Sequence, residues 1–244
     1  MIPLILYEIP SKLEGNYWSP NPAKPRFVLG YKGLPFQLEW VEYADIASRM
    51  KEIGARQNKF PDGRELYTLP VLSDPNTGAL VTDSWKIAEY LEETYPDKPI
   101  FSNKSKGLIL AFDTAASNLW KAAITFPLLR SSEILNERNA KFFITAREAG
   151  LKEKFSEFSP EGPKRDEHWA IFERAMETCK EWYDSLEGKW LMGDVFSYAD
   201  ILIATRLFWF KRVLHDDEWE KIASWHDGRW GTLLADVERE CNVV

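Results

Sequence analysis

The chain has few cysteines and few histidines, which argues against several classes of protein. Among its 244 residues there are two cysteines, Cys179 and Cys241, and their wide separation argues against a disulfide framework and against a redox or zinc motif. The three histidines, His168, His215 and His226, are isolated from one another and suggest no metal site. We therefore expect chemistry that needs neither a bound metal nor a disulfide.

The chain also lacks an excess of basic residues and a long apolar run. It has 31 Lys and Arg against 38 Asp and Glu, a net charge of −7, which argues against nucleic acid or an anionic membrane as a partner. No apolar stretch approaches the ~20 residues of a membrane span, and the first residues carry no positively charged leader region. These absences predict a cytoplasmic globular protein with a small-molecule ligand.

The hydrophobic spacing changes near residue 100, which predicts two domains. Before that point short β-like runs alternate with helical ones, and after it the spacing is helical throughout. The first part is predicted to have the order βαβαββα. Its strands are expected at residues 2–7, 36–43, 71–73 and 79–81, its helices before Gly33 and at residues 44–53 and 84–95, and a polar loop at residues 54–64.

The second part is predicted to be an all-helical bundle. We place the first domain at residues 1–97, a linker at residues 98–103 and the helical domain at residues 104–244. Helices are expected near residues 104–130, 136–150, 165–186, 198–213 and 217–238, with a loop at residues 155–165. Ser197 and Asp200 form an S-x-x-D capping box at the start of a helix that is apolar on nearly all sides and is therefore predicted to be buried.

Two short motifs in the first domain can bind a ligand. Leu69-Pro70 opens a strand, where the Leu69 N–H and C=O can pair with an extended peptide if the corner is tight. Asp83-Ser84 begins a helix whose free amides and dipole favour a carboxylate, while the Asp83 carboxylate suits an ammonium group. Together they match an α-amino-acid head group, although each is also explained by ordinary strand and helix starts.

The order and spacing of three motifs resemble the cytosolic glutathione transferase family. These motifs are T-L-P-V-L at residues 68–72, D-S-W-K-I-A-E-Y-L at residues 83–91 and G-D-x-x-S-Y-A-D-I at residues 193–201. The resemblance covers essentially the whole chain and implies a thioredoxin-like N-terminal domain followed by a helical domain. Trp18-Ser19-Pro20 and the region around Asp83 are similar to the serine-type bacterial lignin β-etherases and their fungal FuA relatives.

The resemblance implies a set of glutathione-binding residues. Leu69, before a cis-proline at Pro70, would pair with the cysteinyl backbone of glutathione, and Asp83 with Ser84 would bind its γ-glutamyl head group. Ser19 would face the sulfur, where a hydroxyl and helix-end amides favour a thiolate. Lowering the pKa of a thiol by about two units requires the thiolate to be stabilised over the thiol by roughly 2.7 kcal/mol.

The sequence defines two things less well: the hydroxyl that donates to the glutathione thiolate, and the residue that binds the glycyl carboxylate of glutathione. Tyr7, at the end of the first strand, and Tyr17 are alternative donors to the thiolate. The glycyl carboxylate needs a cation or an amide, for which Gln57, Lys59 and Arg64 are the candidates. These choices stay open at the level of sequence.

The implied function is a glutathione transferase. Glutathione would be its co-substrate, and its thiolate would attack a hydrophobic aromatic electrophile, with aryl-ether cleavage as a further activity. Two alternatives remain: a binding protein that sequesters phenolics or flavonoids with little turnover, and an interaction module that has the fold without binding glutathione. The resemblance also implies a homodimer and no metal.

Overall fold

The structure, a computed structural model, describes residues 1–60 and 62–243, without the side chains of residues 122, 126 and 151. Its first part contains six strands and three α-helices among these residues. They are β1 (Leu4–Glu8), α1 (Pro20–Lys32), β2 (Phe36–Trp40), α2 (Ile46–Glu52), β3 (Asn58–Lys59), β4 (Glu65–Leu66), β5 (Val71–Asp74), β6 (Ala79–Thr82) and α3 (Ser84–Thr94).

A four-stranded mixed sheet forms the centre of this part, in the order β2-β1-β5-β6. β1 and β2 are parallel, which the connecting helix α1 makes possible, whereas β1 with β5 and β5 with β6 are antiparallel. This topology confirms the predicted thioredoxin-like fold class. The polar loop predicted at residues 54–64 is wrong in one respect, because β3 and β4 pair there as a small separate hairpin.

The helix α1 links the two parts of the molecule. It packs against α3 and against α9 (Tyr198–Val213). Its apolar residues Phe27, Val28 and Leu29 are fully buried. At its end Gly33 adopts a left-handed conformation with a φ of 69°, which is the helix stop that the sequence predicts.

The remaining residues form the predicted helical bundle, with two corrections. Its other helices are α4 (Lys106–Ala123), α5 (Thr125–Glu133), α6 (Glu137–Leu151), α7 (Phe155–Phe158), α8 (Pro163–Asp184) and α10 (Asp216–Glu240). The helix predicted at residues 104–130 is interrupted at Ile124, which separates α4 from α5. The loop predicted at residues 155–165 contains α7, whose Phe155 and Phe158 are buried, and the first turn of α8.

The helix α9 lies in the core of the bundle, and its predicted capping box is present. The Asp200 carboxylate accepts hydrogen bonds from the Ser197 N–H at 3.0 Å, the Leu191 N–H at 2.8 Å and the Tyr183 hydroxyl at 3.2 Å. Burial raises the pKa of Asp200 to about 6. These donors satisfy a carboxylate that has no contact with solvent.

The last helix is not continuous, which the sequence did not indicate. Within α10 the backbone turns left-handed at His226, Asp227 and Gly228, with φ values of 55°, 59° and 77°. The His226 Nδ1 atom accepts a hydrogen bond of 2.8 Å from the Trp230 indole N–H. Its Nε2 atom lies 2.7 Å from the Glu177 carboxylate, so the imidazole bridges two helices at this interruption.

Candidate functional site

The strand register brings three chain segments to one edge of the sheet. Tyr7, near the end of β1, lies opposite Val71, the first residue of β5. Val71 in turn lies opposite Thr82, the last residue of β6. The end of β1, the start of β5 and the end of β6 therefore meet at the same edge.

This edge collects the residues that the sequence singled out. Leu69 precedes the start of β5, Asp83 follows the end of β6, and Ser19 follows β1 after a loop of ten residues at 9–18. The helices that begin at this edge, α1 and α3, are packed side by side. Their positive N-terminal ends thus favour an anionic ligand here.

Ser19 is the residue that precedes α1 and is 8% exposed. Its hydroxyl makes no capping hydrogen bond to the helix, so the group is available to another partner. Pro20 and Pro22 have no N–H, which leaves Asn21 as the one donor among the first three amides of α1. A ligand anion at this end would therefore meet the Ser19 hydroxyl and the Asn21 amide, fewer donors than an ordinary helix start offers.

Leu69 lies just outside the sheet. The Leu69–Pro70 peptide bond is cis, and the Leu69 side chain is buried. Within the described residues the ladder between β1 and β5 ends at Tyr7 and Val71, so the backbone N–H and C=O of Leu69 are outside it. These groups can pair with an extended peptide backbone.

Asp83 caps α3 in an uncommon conformation. Its Oδ1 atom accepts hydrogen bonds from the Trp85 N–H at 2.9 Å and the Lys86 N–H at 3.2 Å. Its φ of 82° is positive, which costs free energy for a residue other than glycine and is enriched at functional sites. The cap thus uses one carboxylate oxygen, and no hydrogen bond to Oδ2 is seen among the described residues.

A buried lysine in α1 is within the electrostatic influence of Asp83. Nothing in the sequence singled it out. Lys24 in α1 is 8% exposed and donates a hydrogen bond of 3.3 Å to the Asn21 Oδ1 atom. Burial lowers the pKa of Lys24 to about 8, with a further lowering by Arg206, against which Asp113 and Asp83 act in the opposite direction. The charges that act on Lys24 therefore come from three other segments: Asp83 before α3, Asp113 in α4 and Arg206 in α9.

The candidates for the glycyl carboxylate all lie in the region of the β3–β4 hairpin. The Lys59 side chain is 83% exposed and pairs with Glu65 at 3.0 Å. Arg64 pairs with Asp62 at 2.7 Å, and the Gln57 amide donates to the Glu65 carbonyl at 3.3 Å. The two cations therefore have local carboxylate partners that a ligand would have to replace.

The two alternative tyrosines have different surroundings. Tyr7 is buried in β1, and burial together with the neighbouring Glu39 carboxylate raises its pKa. The Tyr17 ring lies near two cations, with the guanidinium carbons of Arg26 and Arg212 at 4.3 Å and 5.4 Å from its centroid. Tyr17 is therefore part of a packed cluster, two residues before Ser19.

Aromatic residues form a wall beside Ser19 between the two parts of the molecule. The ring of Trp18 lies edge-on to Phe143 of α6, with centroids 6.4 Å apart. Phe143 contacts Tyr43 at 5.7 Å and Phe155 at 6.1 Å. The Trp18 indole N–H is buried without a hydrogen-bond partner among the described residues. Trp18, Phe143 and Phe155 are at most 5% exposed, so these rings are part of the buried core that joins the segment before Ser19 to the helical bundle.

The part of the chain that the structure describes shows neither a metal-binding cluster nor a membrane-spanning helix. Residues 1–60 and 62–243 contain no cluster of three or more His, Cys, Asp or Glu that could hold a metal ion. Over the same residues no helix combines the length and the apolar character that a membrane crossing requires.

Comparison with known proteins places both parts of the chain in one family. The family model for the N-terminal domain of glutathione S-transferases matches residues 18–94, and the model for the C-terminal domain matches residues 107–239. The glutathione S-transferase-like protein ustS of Aspergillus flavus is 31% identical over 250 residues, which cover 95% of this chain and 88% of that protein.

Solved structures of fungal enzymes have the same fold. A glutathione S-transferase of Ceriporiopsis subvermispora, in complex with glutathione, superimposes with a TM-score of 0.92 at 37% identity and covers 97% of each chain. The glutathione transferase GSTFuA3 of Phanerochaete chrysosporium gives a TM-score of 0.83 at 34% identity, over 98% of this chain and 97% of that one. These matches confirm the resemblance to cytosolic transferases and to the FuA proteins that the sequence motifs indicated.

Proposed function

The chain belongs to the glutathione S-transferase family, and we propose that it binds glutathione at the sheet edge where Ser19, Leu69 and Asp83 meet. The strand register brings the start of β5, after Leu69, and the end of β6, before Asp83, to one edge, and α1, which Ser19 precedes, packs against α3; this arrangement carries the proposal. A ligand at this edge can contact one residue from each of three separate segments.

The tripeptide would lie across the edge in an extended form. Its γ-glutamyl ammonium would bind the Oδ2 atom of Asp83, and its γ-glutamyl carboxylate the N–H and hydroxyl of Ser84. The cysteinyl backbone would pair with the N–H and C=O of Leu69. Gln57 and Lys59 are the proposed partners of the glycyl carboxylate, for which Lys59 would have to leave Glu65.

Ser19 would stabilise the thiolate of glutathione. Its hydroxyl and the Asn21 N–H can donate to the sulfur, while the thiol proton is released to solvent. The thiolate then attacks an electrophilic carbon of a hydrophobic aromatic substrate, where an S–C bond forms and the leaving group departs with the electron pair of its broken bond. In an aryl ether the leaving group would be an aryloxide.

Ultraviolet titration of the bound thiolate tests this proposal. With wild-type protein we expect the pKa of bound glutathione to lie about two units below the free thiol value of about 8.5. In Ser19→Ala the pKa should return towards the free value, and kcat/KM with an aromatic electrophile should fall about 100-fold. An unchanged thiol pKa and an unchanged rate in Ser19→Ala would refute the role of Ser19.

Control variants show whether a loss of activity is specific to the Ser19 hydroxyl. They also show whether the hydroxyl of Tyr7 or Tyr17 is the donor instead. Ser48 lies in α2 of the same domain and donates to the Asp45 carbonyl at 3.0 Å, so Ser48→Ala should behave as wild type. Tyr7→Phe and Tyr17→Phe remove the alternative hydroxyls without removing the rings. If either of them abolishes the thiolate signal while Ser19→Ala retains it, the donor is that tyrosine.

The aromatic wall favours a second candidate function, a binding protein for phenolics or flavonoids. Trp18, which precedes Ser19 in the chain, packs in one cluster with Tyr43, Phe143 and Phe155, and an aromatic ligand would have to enter between these packed rings. Tight binding of a flavonoid, with negligible turnover of aryl ethers and of generic electrophiles, would favour this function. Turnover of an aryl ether with release of the phenol would instead support etherase activity.

We also propose a homodimer located in the cytoplasm. Leu108 on α4 is a large apolar side chain that is 78% exposed, and its side of the helix is the face that we would test. Light scattering should give twice the monomer mass for wild-type protein and the monomer mass for Leu108→Glu. A monomeric wild-type protein would refute the dimer. The domain boundaries at residues 97 and 104 likewise stay predictions.

A further inference from the structure

The loop that leads to Ser19 is held by a residue of the helical bundle. Arg212, in the last turn of α9, donates from Nε to the Tyr17 carbonyl at 3.0 Å and from Nη2 to the Glu14 carbonyl at 2.5 Å. Tyr17 is two residues from Ser19 in the chain. One guanidinium therefore fixes two peptide groups of the loop from the opposite part of the molecule.

The side chain of Tyr17 is fixed at the same time. Arg26 lies on its ring at 4.3 Å and is itself held by the buried Glu8 carboxylate at 3.1 Å. The Arg212 guanidinium lies 5.4 Å from the same ring centroid. Gly15 packs so closely that a Cβ there would stand 2.8 Å from the ring carbons of Tyr17. The backbone and the side chain of Tyr17 are thus both restrained.

A second contact ties the loop to the bundle further upstream. The Lys12 N–H donates to the Ile134 carbonyl, which follows α5, at 2.8 Å. Within the loop the hydroxyl of Ser11, the residue before Lys12, donates to the Asn16 carbonyl at 2.8 Å. The conformation of the loop therefore depends on the helical bundle as well as on its own sequence.

We propose that Arg212 is a positioning residue for Ser19, so that the helical bundle sets the geometry of thiolate stabilisation in the thioredoxin-like domain. The inference rests on the proposed role of Ser19. A hydroxyl must be held within a fraction of an ångström to favour the thiolate over the thiol, because hydrogen-bond strength falls steeply with distance and angle. Displacements of about 1 Å by remote changes can cost 100-fold in rate.

The chemistry of this contact requires arginine. The planar guanidinium presents donors in a fixed fork that reaches two carbonyls while its face lies near a ring. Lysine carries its three N–H donors on a single nitrogen at the end of a flexible chain, so it lacks the fixed planar geometry with which the guanidinium reaches both carbonyls. We therefore expect Arg212→Lys to retain part of the function and Arg212→Gln to lose most of it.

The test measures thiol ionisation separately from ligand binding. In Arg212→Gln the pKa of bound glutathione should rise by about one unit, and kcat/KM should fall about 10-fold or more. The Kd of S-methylglutathione, which has no thiol to ionise, should change by less than about 3-fold, because Leu69, Asp83 and Ser84 remain in place. Arg212→Lys should give intermediate values of the thiol pKa and of kcat/KM.

Arg138→Gln is the matched control, since it removes another arginine that joins the two parts of the molecule. Arg138 on α6 pairs with Asp45 at 2.7 Å, and in the part of the chain that the structure describes no hydrogen bond is seen between Arg138 and residues 9–18. The thiol pKa of glutathione bound to Arg138→Gln should equal that of glutathione bound to wild-type protein. Equal effects of Arg138→Gln and Arg212→Gln would overturn the inference, because a general loosening of the domains would then explain both.

A second perturbation of the same loop covers the case in which Arg212→Gln does not fold. Gly15→Ala places a methyl group against the Tyr17 ring at a residue whose φ is +73°, and should also raise the bound thiol pKa. A wild-type thiol pKa in a folded Arg212→Gln protein overturns the role of Arg212; if that variant does not fold, a wild-type thiol pKa in Gly15→Ala overturns the dependence of Ser19 on the conformation of this loop, on which the inference rests. If wild-type protein itself shows no bound thiolate, the proposed function fails instead.

Discussion

Gly30 in α1 lies directly against the backbone carbonyl of Cys241: a Cβ at position 30 would stand 1.9 Å from that oxygen. Cys241 follows α10 near the end of the chain and is fully buried. Cys241 and Val243 therefore pack on the helix that begins after Ser19. Only a residue without a side chain allows this approach.

Gly30→Ala is predicted to destabilise the protein by about 2–3 kcal/mol, because the added methyl group meets backbone that cannot rotate away. Urea unfolding of the variant and of wild-type protein measures the difference. Gly107→Ala in α4 is the control, since its Cβ would meet no atom within 4 Å. That variant should be unchanged or more stable by up to about 1 kcal/mol, and equal losses in the two variants would show that the packing of Cys241 on Gly30 is not the cause.

The parts of the fold that the sequence predicted are those with local signals. The alternation at residues 36–40 marks β2, and the box formed by Ser197 and Asp200 marks the start of α9, which has the predicted bounds of Tyr198–Val213. In the candidate site, Leu69 and Asp83 were singled out because strand and helix starts have readable patterns, whereas Ser19 was supplied by the family resemblance. Their meeting at one edge follows from the strand order, which the resemblance supplied.

The parts that were missed depend on contacts between distant residues. Arg212 and Tyr17 are separated by 195 positions, and nothing in either segment indicates the other. Lys24 stands among ordinary helix residues, and its burial results from packing against α9 and neighbouring helices. The interruption of α10 at His226 involves Glu177 on α8, so the helical spacing of residues 217–238 alone predicted an unbroken helix.

Asp83→Asn is predicted to keep the helix-capping function of residue 83 and to remove the negative charge that we propose binds the ligand ammonium. Asparagine keeps an oxygen that can accept from the Trp85 and Lys86 amides and tolerates the positive φ, so stability should change by less than about 1 kcal/mol. The loss of charge removes the partner of the γ-glutamyl ammonium. Calorimetric titration should show glutathione binding weakened about 10-fold or more.

Asp83→Ala provides the comparison, because it removes both functions. It should lose about 1 kcal/mol of stability with the cap and bind glutathione no better than Asp83→Asn. If Asp83→Asn binds glutathione as tightly as wild-type protein while Asp83→Ala is destabilised, Asp83 is an ordinary helix cap.

Because Lys24 is buried, we predict that the difference in stability between Lys24→Met and wild-type protein depends on pH. Its pKa is lowered by burial from 10.5 to about 8, so between these values the unfolded chain holds a proton that the folded chain has released. Stability contributed by this group therefore rises with pH across that window. Below pH 8 both states are protonated and the buried ammonium costs about 3 kcal/mol. Lys24→Met should accordingly be more stable than wild-type protein at pH 7 by up to about 3 kcal/mol.

The advantage of Lys24→Met should shrink as pH rises from 8 towards 10.5. Thermal unfolding of both proteins at a series of pH values measures the difference, in which the other titrating groups cancel. Lys59→Met removes an exposed lysine and should show a small difference that does not vary across this range. A constant advantage of Lys24→Met from pH 7 to pH 10 would show that the charge of Lys24 is not the cause.

Lys32 is predicted to be the most important single cation for stability. At the end of α1 its ammonium donates to the Glu92 carboxylate at 2.9 Å and to the carbonyls of Tyr95, Asp97 and Lys98 at 3.0, 3.1 and 3.1 Å. One side chain thus joins α1, the end of α3 and the start of the predicted linker.

Lys32→Met should lower the free energy of unfolding by about 3–5 kcal/mol, because it leaves a partly buried carboxylate and three carbonyls without their donor. Lys86→Met is the control: its side chain is 65% exposed and pairs with Glu89 at 2.7 Å, so the loss should be below about 1 kcal/mol. Denaturant unfolding compares the two variants with wild-type protein. Similar small losses in both would mean that solvent replaces the Lys32 ammonium, and that the contact between α1 and the linker contributes little to the stability of the fold.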